Sequence, residues 1–231
     1  MIISHKHKFI FIKTRKTAGT SLKVFLSHIC DKNDIVTPIY PEYPGHVARN
    51  YNGSFNLFSE LCLKPRPPHT RNIIKRFFKK RKYYNHIQAN QVRNRVGKEI
   101  WDEYFTFCVE RDPWSRSVSH YNMLQNFFPG KYIDFNDYLN RSGVYNHPLY
   151  TDEKGKIIVD KVINFDNLKA ELLRITKKLG IPNKGLLEAK AKQNFKKFIK
   201  SSKDLSSQQV EFIKHKYKID IDLMNFEYSQ L

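Results

Sequence analysis

The chain has 231 residues, with 41 lysine and arginine residues against 22 aspartate and glutamate residues, and so a formal net charge of +19. The length fits one domain, over residues 1–231, and the charge favours a polyanionic partner: nucleic acid, anionic lipid, acidic glycan or a multiply phosphorylated nucleotide. No apolar stretch approaches the roughly 18 residues that cross a bilayer, and no signal peptide is visible, so we expect a soluble, cytoplasmic protein. The three cysteines are odd in number and too widely spaced for a zinc site, so we expect neither disulfides nor a structural metal.

The N-terminal third predicts one strand, one helix and a long irregular excursion. Residues 8–12 form an apolar run typical of a buried strand, and four apolar residues between Leu22 and Ile29 recur at helical spacing. Six prolines then interrupt residues 37 to about 70, where we expect loop with a short helix near residues 56–61.

Residues 71–82 predict an amphipathic helix with seven cationic side chains. Three interpretations remain open for its charged face. It is either simply solvated, or it contacts an acidic glycan, or it lies against a lipid surface.

The middle of the chain predicts a helix over residues 88–103 and a strand over 105–109. Asp112 is a suitable N-cap for the helix that follows, and Pro113 then takes the first helical position, where its missing N–H costs nothing. This helix should extend to about Asn126.

The C-terminal part repeats the strand and helix pattern after a second irregular excursion at about 127–160. A third strand is expected over 161–165, with a helix following over 168–179. Ser206 and Gln209 form a capping-box pattern before a last helix. Strands that alternate with helices predict an α/β fold of three layers, a central parallel sheet flanked by helices.

The loop after the first strand has the chemistry of a phosphate site. Lys16 supplies a point charge, Gly19 lets the backbone approach closely, and Thr17, Thr20 and Ser21 offer hydroxyl and N–H groups at a helix N-terminus. The order differs from the triphosphate-binding pattern GxxxxGK[ST], because the glycine follows the lysine. An ordinary capped helix start explains the loop equally well.

A second candidate phosphate site follows the strand at 105–109. Arg111 comes directly after that strand, and the hydroxyl of Ser119 lies on the next helix, with Arg116 as a possible helper. The planar guanidinium binds two phosphate oxygens at once. The alternative is an ion pair between Arg111 and one of the two acidic residues beside it.

Both stretches resemble motifs of one enzyme family. Lys16-Thr17-Ala18-Gly19-Thr20-Ser21 resembles the 5′-phosphosulfate loop of the carbohydrate sulfotransferases, and Arg111-Asp112-Pro113-Trp114 through Ser119 resembles their 3′-phosphate motif. Residues 163–168 and 218–226 are similar to the family's third strand and C-terminal ending, so the resemblance covers nearly the whole chain. It is closest to the branch with bacterial sulfotransferases and heparan sulfate 2-O-sulfotransferases.

Two departures from the family pattern are visible. Thr14-Arg15 replaces the usual apolar-proline pair, and Glu110 precedes the arginine where many members carry an apolar residue. Neither change removes a phosphate-contacting group, and Arg15 adds a further cation.

The resemblance implies a P-loop nucleotide-hydrolase-like sulfotransferase fold and a reaction without a metal. The donor would be 3′-phosphoadenosine 5′-phosphosulfate (PAPS), and adenosine 3′,5′-bisphosphate would be the product. The implied nucleotide-binding residues are Arg15, Lys16, Thr17, Ala18, Gly19, Thr20, Ser21, Arg111 and Ser119.

The resemblance also implies catalytic roles and an acceptor. Lys16 would stabilise the leaving phosphate, and His86 would be the general base, with His46 and His69 as weaker competitors. The acceptor would be a saccharide, possibly anionic, in a bacterial cytoplasm, and the two excursions would form its wall. The sequence pattern does not indicate an oligomeric state.

Two other function classes fit the sequence less well. A nucleic-acid-binding module has only the charge in its favour, since the chain shows no zinc finger, RNA-recognition signature or heptads. A nucleotide-dependent kinase is disfavoured because the triphosphate loop is absent.

Overall fold

The computed structural model describes residues 1–40, 42–62, 69–181, 196–199 and 201–228. The strands are β1 (Ile2–Ser4), β2 (Phe9–Phe11), β3 (Ile35–Val36), β4 (Phe105–Glu110) and β5 (Lys161–Asn164). The α-helices are α1 (Gly19–His28), α2 (Leu57–Cys62), α3 (His69–Phe78), α4 (Ala89–Val96), α5 (Lys98–Glu103), α6 (Pro113–Phe127), α7 (Phe135–Arg141), α8 (Leu168–Lys178), α9 (Ser207–Lys216) and α10 (Lys218–Met224).

The strands form a mixed sheet in the order β3-β1-β2-β4-β5. The three predicted strands, β2, β4 and β5, are parallel, but β1 pairs antiparallel with both β2 and β3. The expectation of a wholly parallel sheet was therefore wrong. Only four residues separate Ser4 from Phe9, and so short a connection can join only antiparallel strands.

Helices pack on both faces of this sheet. Alternation along the strands sends Phe11 and Phe107 to the face covered by α1 and α8, and Ile10 and Cys108 to the face covered by α4 and α5. The fold is thus α/β, with a mixed five-stranded sheet flanked by helices. Burial of Cys108 in this core raises the pKa of its thiol.

Several local signals correctly predicted helix boundaries. Asp112 accepts a hydrogen bond from the Ser115 N–H at 2.7 Å with Pro113 at the first helical position, and Ser206 with Gln209 forms the expected capping box. The helix expected over 88–103 is instead two helices, because Gly97 adopts a φ of 88° between them.

The segment at 127–160 is more regular than expected. It contains α7, whose Tyr138 is buried in a third core cluster with α6, α9 and α10. This segment therefore has a structural role as part of the core. Among the helices that the structure describes, none combines the length and the apolar character needed to cross a bilayer.

Candidate functional site

A cavity of about 810 Å³ lies at the carboxyl ends of the parallel strands. The loop after β2, Arg111 after β4 and Phe165 after β5 all line it, together with residues of α6. Open α/β sheets bind ligands at this edge, and the volume falls within the range of about 300–1,000 Å³ typical of small-molecule sites.

The described lining of the cavity is strongly cationic. Six lysine and arginine side chains contribute to it, and none of the described lining residues is acidic. The six are Lys13, Arg15, Lys16, Arg111, Lys196 and Lys197. Because like charges collected around one cavity repel each other, this lining favours a ligand with several negative charges.

Strained backbone concentrates at the cavity. Seven described non-glycine residues have positive φ, and three of them, Lys16 (63°), Ala18 (53°) and His86 (57°), line the cavity. Left-handed residues in a turn help to aim backbone N–H groups at an anion, and α1 begins directly after Ala18. Strain of this kind is typical of functional sites.

Two threonines hold the first loop against the sheet. Thr14 donates its hydroxyl proton to the Val109 carbonyl, and its oxygen lies 2.8 Å from the Thr17 hydroxyl oxygen. Because the Thr14 proton is already used, Thr17 must be the donor in the second bond. The Thr17 hydroxyl therefore fixes the loop, and the group that Thr17 can offer a ligand is its backbone N–H.

Gly19 packs tightly against Lys13. A Cβ on Gly19 would lie 3.0 Å from Cγ and 3.2 Å from Cε of Lys13, tighter than most side-chain contacts, so the lysine would have to shift. Lys13 in turn donates to the Thr20 hydroxyl at 3.2 Å, which leaves that hydroxyl able to donate a hydrogen bond itself. Lys13 is a lining cation that the sequence motif did not single out.

Arg111 is held at the second strand end. Its guanidinium lies 4.7 Å from the centre of the Phe165 ring, and it forms no ion pair with any carboxylate in the described ranges. Its Nε is buried without a hydrogen-bond partner in the described structure, and burial lowers the pKa of the group. Ser119 lines the same cavity. An anionic ligand would provide the missing partner.

Arg116 does not reach the cavity, contrary to its suggested helper role. It is fully buried and pairs with Glu110 at 2.7 Å and with Asp220 at 2.7 Å. Glu110 is thereby occupied by Arg116 and is not the ion-pair partner of Arg111. The unusual Glu110 of the motif has a structural explanation.

Asn146 connects the two phosphate-type motifs, and no sequence pattern indicated it. Its side chain accepts from the Arg15 N–H at 2.9 Å and donates to the Arg15 carbonyl at 3.0 Å. It also lies 3.0 Å from Glu110 Oε1, which accepts a hydrogen bond from the Arg111 N–H at 2.9 Å. One buried amide thus joins the first loop to the end of β4.

Replacement of Asn146 by Ala should therefore loosen the first loop. We expect the free energy of unfolding to fall by about 1–3 kcal/mol, because partly buried backbone groups of Arg15 lose their partners. Amide hydrogen exchange in residues 13–18 should become faster. Asn94→Ala, at an exposed asparagine that bonds Ser59, is the control and should leave this exchange unchanged. Unaltered exchange in Asn146→Ala would contradict the connecting role.

His86 lines the cavity, and a hydrogen bond fixes the tautomer of its ring. Its Nδ1 lies 2.9 Å from the Lys13 carbonyl, which can only accept, so Nδ1 carries the proton and Nε2 has the free lone pair. Burial, followed by the charges of Lys13 and Arg15, lowers the pKa of His86 to about 2. The imidazole is therefore neutral at physiological pH.

The competing histidines differ in position. Nε2 of His46 lies 3.0 Å from the Thr37 carbonyl, burial lowers its pKa to about 4, and it is absent from the described lining. The side chain of His69 falls outside the described residues. His120, which the sequence analysis missed, does line the cavity, with Nδ1 3.0 Å from the Tyr138 hydroxyl and a pKa lowered by burial to about 3.

The nucleotide-binding and catalytic residues that the resemblance implies all line this one cavity. They are Arg15, Lys16, Thr17, Ala18, Gly19, Thr20, Ser21, His86, Arg111 and Ser119. The structure adds Lys196, Lys197 and Ser202, which no sequence motif indicated. The hydroxyl oxygens of Ser202 and of Ser115 in α6 lie 3.0 Å apart and share a hydrogen bond.

Comparison with known proteins identifies one relative. A protein of Archaeoglobus fulgidus described as "Uncharacterized protein" is 36% identical to this chain over 101 residues, which make up 42% of this chain and 84% of the archaeal protein. No protein-family model matches the chain, and no solved structure matches it. At this identity and coverage, the chain belongs to the same protein family as the Archaeoglobus fulgidus protein.

Proposed function

We propose that this protein is a sulfotransferase that transfers the sulfuryl group of PAPS to a hydroxyl of a carbohydrate. The observation that carries the proposal is the single cavity at the carboxyl ends of the parallel strands. Two phosphate-type motifs meet there among six cationic and no acidic described lining residues. A nucleotide with separate 5′ and 3′ anionic groups matches that arrangement.

In this proposal, each motif binds a different anionic group of the nucleotide. The first loop, residues 15–21, would hold the 5′-phosphosulfate with backbone N–H groups at the start of α1 and the charge of Lys16. Arg111 and Ser119 would hold the 3′-phosphate, which supplies the partner that Arg111 Nε lacks in the described structure. A triphosphate does not need a second site at the end of β4.

The proposed reaction breaks the S–O bond to the leaving phosphate and forms an S–O bond to the acceptor oxygen. The acceptor proton passes to Nε2 of His86, whose Nδ1–H is held by the Lys13 carbonyl. Lys16 stabilises the negative charge that grows on the leaving phosphate. The neutral imidazole of His86 can accept this proton, although its lowered pKa makes it a weaker base than an ordinary histidine.

Mutations in the two motifs should have different effects on nucleotide binding. We expect Arg111→Ala to weaken binding of adenosine 3′,5′-bisphosphate by about 10- to 100-fold and to leave AMP affinity nearly unchanged, because only the bisphosphate carries a 3′-phosphate. Lys16→Ala should weaken both ligands. Isothermal titration calorimetry measures each affinity, with Arg141→Ala, an exposed arginine, as the control. Equal losses for both ligands in Arg111→Ala would contradict the assignment.

The activity itself is tested by incubating the protein with ³⁵S-labelled PAPS and a panel of bacterial polysaccharides, oligosaccharides and glycolipids. Label should enter at least one saccharide, and Lys16→Ala should abolish the incorporation. Tight binding of ATP in place of the bisphosphate would favour a kinase. Binding of nucleic acid without either nucleotide would favour a nucleic-acid module.

A further inference from the structure

The outer face of α3 combines exposed apolar and cationic side chains. Its inner face is fixed: Ile73 is buried, Phe77 lies 5.7 Å from the Phe55 ring, and Arg76 stacks 3.6 Å from the centre of the Tyr84 ring. One turn apart on the outer face are Ile74, which is partly exposed, and Phe78, which is 77% exposed. The exposed cations around them are Arg71, Lys75, Lys79, Lys80 and Arg81.

A second exposed phenylalanine lies on the adjoining helix. Phe58 of α2 is 78% exposed, and α2 packs against α3. A single exposed apolar side chain is ordinary, but two phenylalanines and an isoleucine are exposed on these two packed helices. We call Phe58, Ile74, Phe78 and the five cations the α3 surface.

The charge around the α3 surface has one sign. Residues 69–82 contain seven lysine and arginine residues and no aspartate or glutamate. A solvated helix face usually mixes both signs, as α8 does with Glu171 and Arg174 paired at 2.6 Å. An anionic partner would match the charge of the α3 surface.

We propose that the α3 surface docks on an anionic lipid bilayer. Acidic glycans would contact mainly the cations, and nucleic-acid bases would stack on the phenylalanines but gain little from the aliphatic Ile74. A membrane interface accommodates all of these features, since aromatic and aliphatic side chains enter the boundary of the acyl chains while lysine and arginine contact anionic headgroups. The combination of Phe58, Ile74 and Phe78 with cations therefore favours lipid over a soluble polyanion.

Co-sedimentation with vesicles of phosphatidylcholine, with and without phosphatidylglycerol, tests this proposal on the full chain. The protein should pellet with the anionic vesicles, and added salt should weaken this binding. The double variant Phe58→Ser/Phe78→Ser should lose about tenfold or more in vesicle affinity, because two apolar anchors are removed. Lys75→Glu/Lys79→Glu should lose binding as well.

Matched controls separate docking from general effects. Phe128→Ser/Ile133→Ser removes two exposed apolar side chains elsewhere, and Lys169→Glu/Lys177→Glu makes the same change of net charge on α8. Both controls should bind vesicles within about twofold of the wild type. Equal thermal unfolding of all variants would show that folding is intact.

Three results would overturn the proposal. The first is wild-type vesicle binding by Phe58→Ser/Phe78→Ser, which would make the surface a purely electrostatic site. The second is an equal loss in the control variants. The third is binding of heparin or RNA with no binding of anionic vesicles, which would assign the α3 surface to a soluble polyanion.

Discussion

Replacement of His86 by Asn is expected to lower sulfate transfer by about 10²- to 10⁴-fold while bisphosphate affinity stays within about threefold, since a general base contributes this much to the rate and little to donor binding. Asn is the suitable substitute because it tolerates the left-handed backbone that His86 adopts at a φ of 57°. Its amide can also keep the hydrogen bond to the Lys13 carbonyl. Labelled sulfate incorporation into the accepting glycan measures the rate.

Two other histidines provide the comparison. His46→Asn changes a partly buried histidine outside the described lining and should leave transfer near the wild-type level. His120→Asn changes the other lining histidine, and a loss confined to that variant would move the base role from His86 to His120. Full activity of His86→Asn would refute the assignment.

The pH dependence follows from the lowered pKa of His86. A histidine of ordinary pKa gains a proton near pH 6.5 and stops acting as a base. Burial and the neighbouring cations lower the pKa of His86 to about 2, so transfer should not fall as the pH drops through this region. A rate that declines with an apparent pKa near 6.5 would show that the base is less shielded than the structure indicates.

Replacement of Arg116 by Met is expected to destabilise the protein by about 3–5 kcal/mol, the cost of leaving a buried charge without its partner. Arg116 is fully buried between Glu110 and Asp220, each at 2.7 Å. Removing the guanidinium leaves both carboxylates in a low-dielectric interior. Guanidinium chloride unfolding of the wild type and the variant measures the loss.

The pH dependence of this loss identifies its cause. Burial already raises the pKa of Glu110, and without Arg116 that pKa should rise further. The native variant then binds more protons than its unfolded chain, so its stability falls as the pH rises and recovers as the pH is lowered. The gap to the wild type should narrow in acid.

A surface ion pair is the control for Arg116. Arg141→Met breaks the exposed pair with Asp137 and should cost less than about 1 kcal/mol. A loss of that small size in Arg116→Met, or a gap that does not change with pH, would contradict the buried-charge explanation.

Local patterns in the sequence were sufficient for most of the helices and for the parallel strands. β2, β4 and β5 contain apolar residues and precede helices with apolar residues at helical spacing, and both features are encoded within a few residues. β1 and β3 have three and two residues, too few for a periodic signal. A mixed sheet could be predicted only by recognising β1, because the antiparallel pairing follows from the short connection between Ser4 and Phe9.

The candidate site could be predicted only where its residues are close in sequence. The two motifs contain Lys16 and Arg111 with their neighbours, and the structure places both at one cavity. Asn146 contacts Arg15 across 131 residues, and Arg116 contacts Asp220 across 104, so no local pattern could indicate either. Arg116 is buried in the core whereas Arg111 lines the cavity, and this difference depends on the tertiary packing.

The most direct test of the proposed site compares two ligands that differ by one phosphate. We expect calorimetric titration of the wild-type protein to show that adenosine 3′,5′-bisphosphate binds at least about tenfold more tightly than AMP, because Arg111 and Ser119 offer the 3′-phosphate a charge-assisted hydrogen bond. Equal affinity for the two ligands would contradict a site built for PAPS.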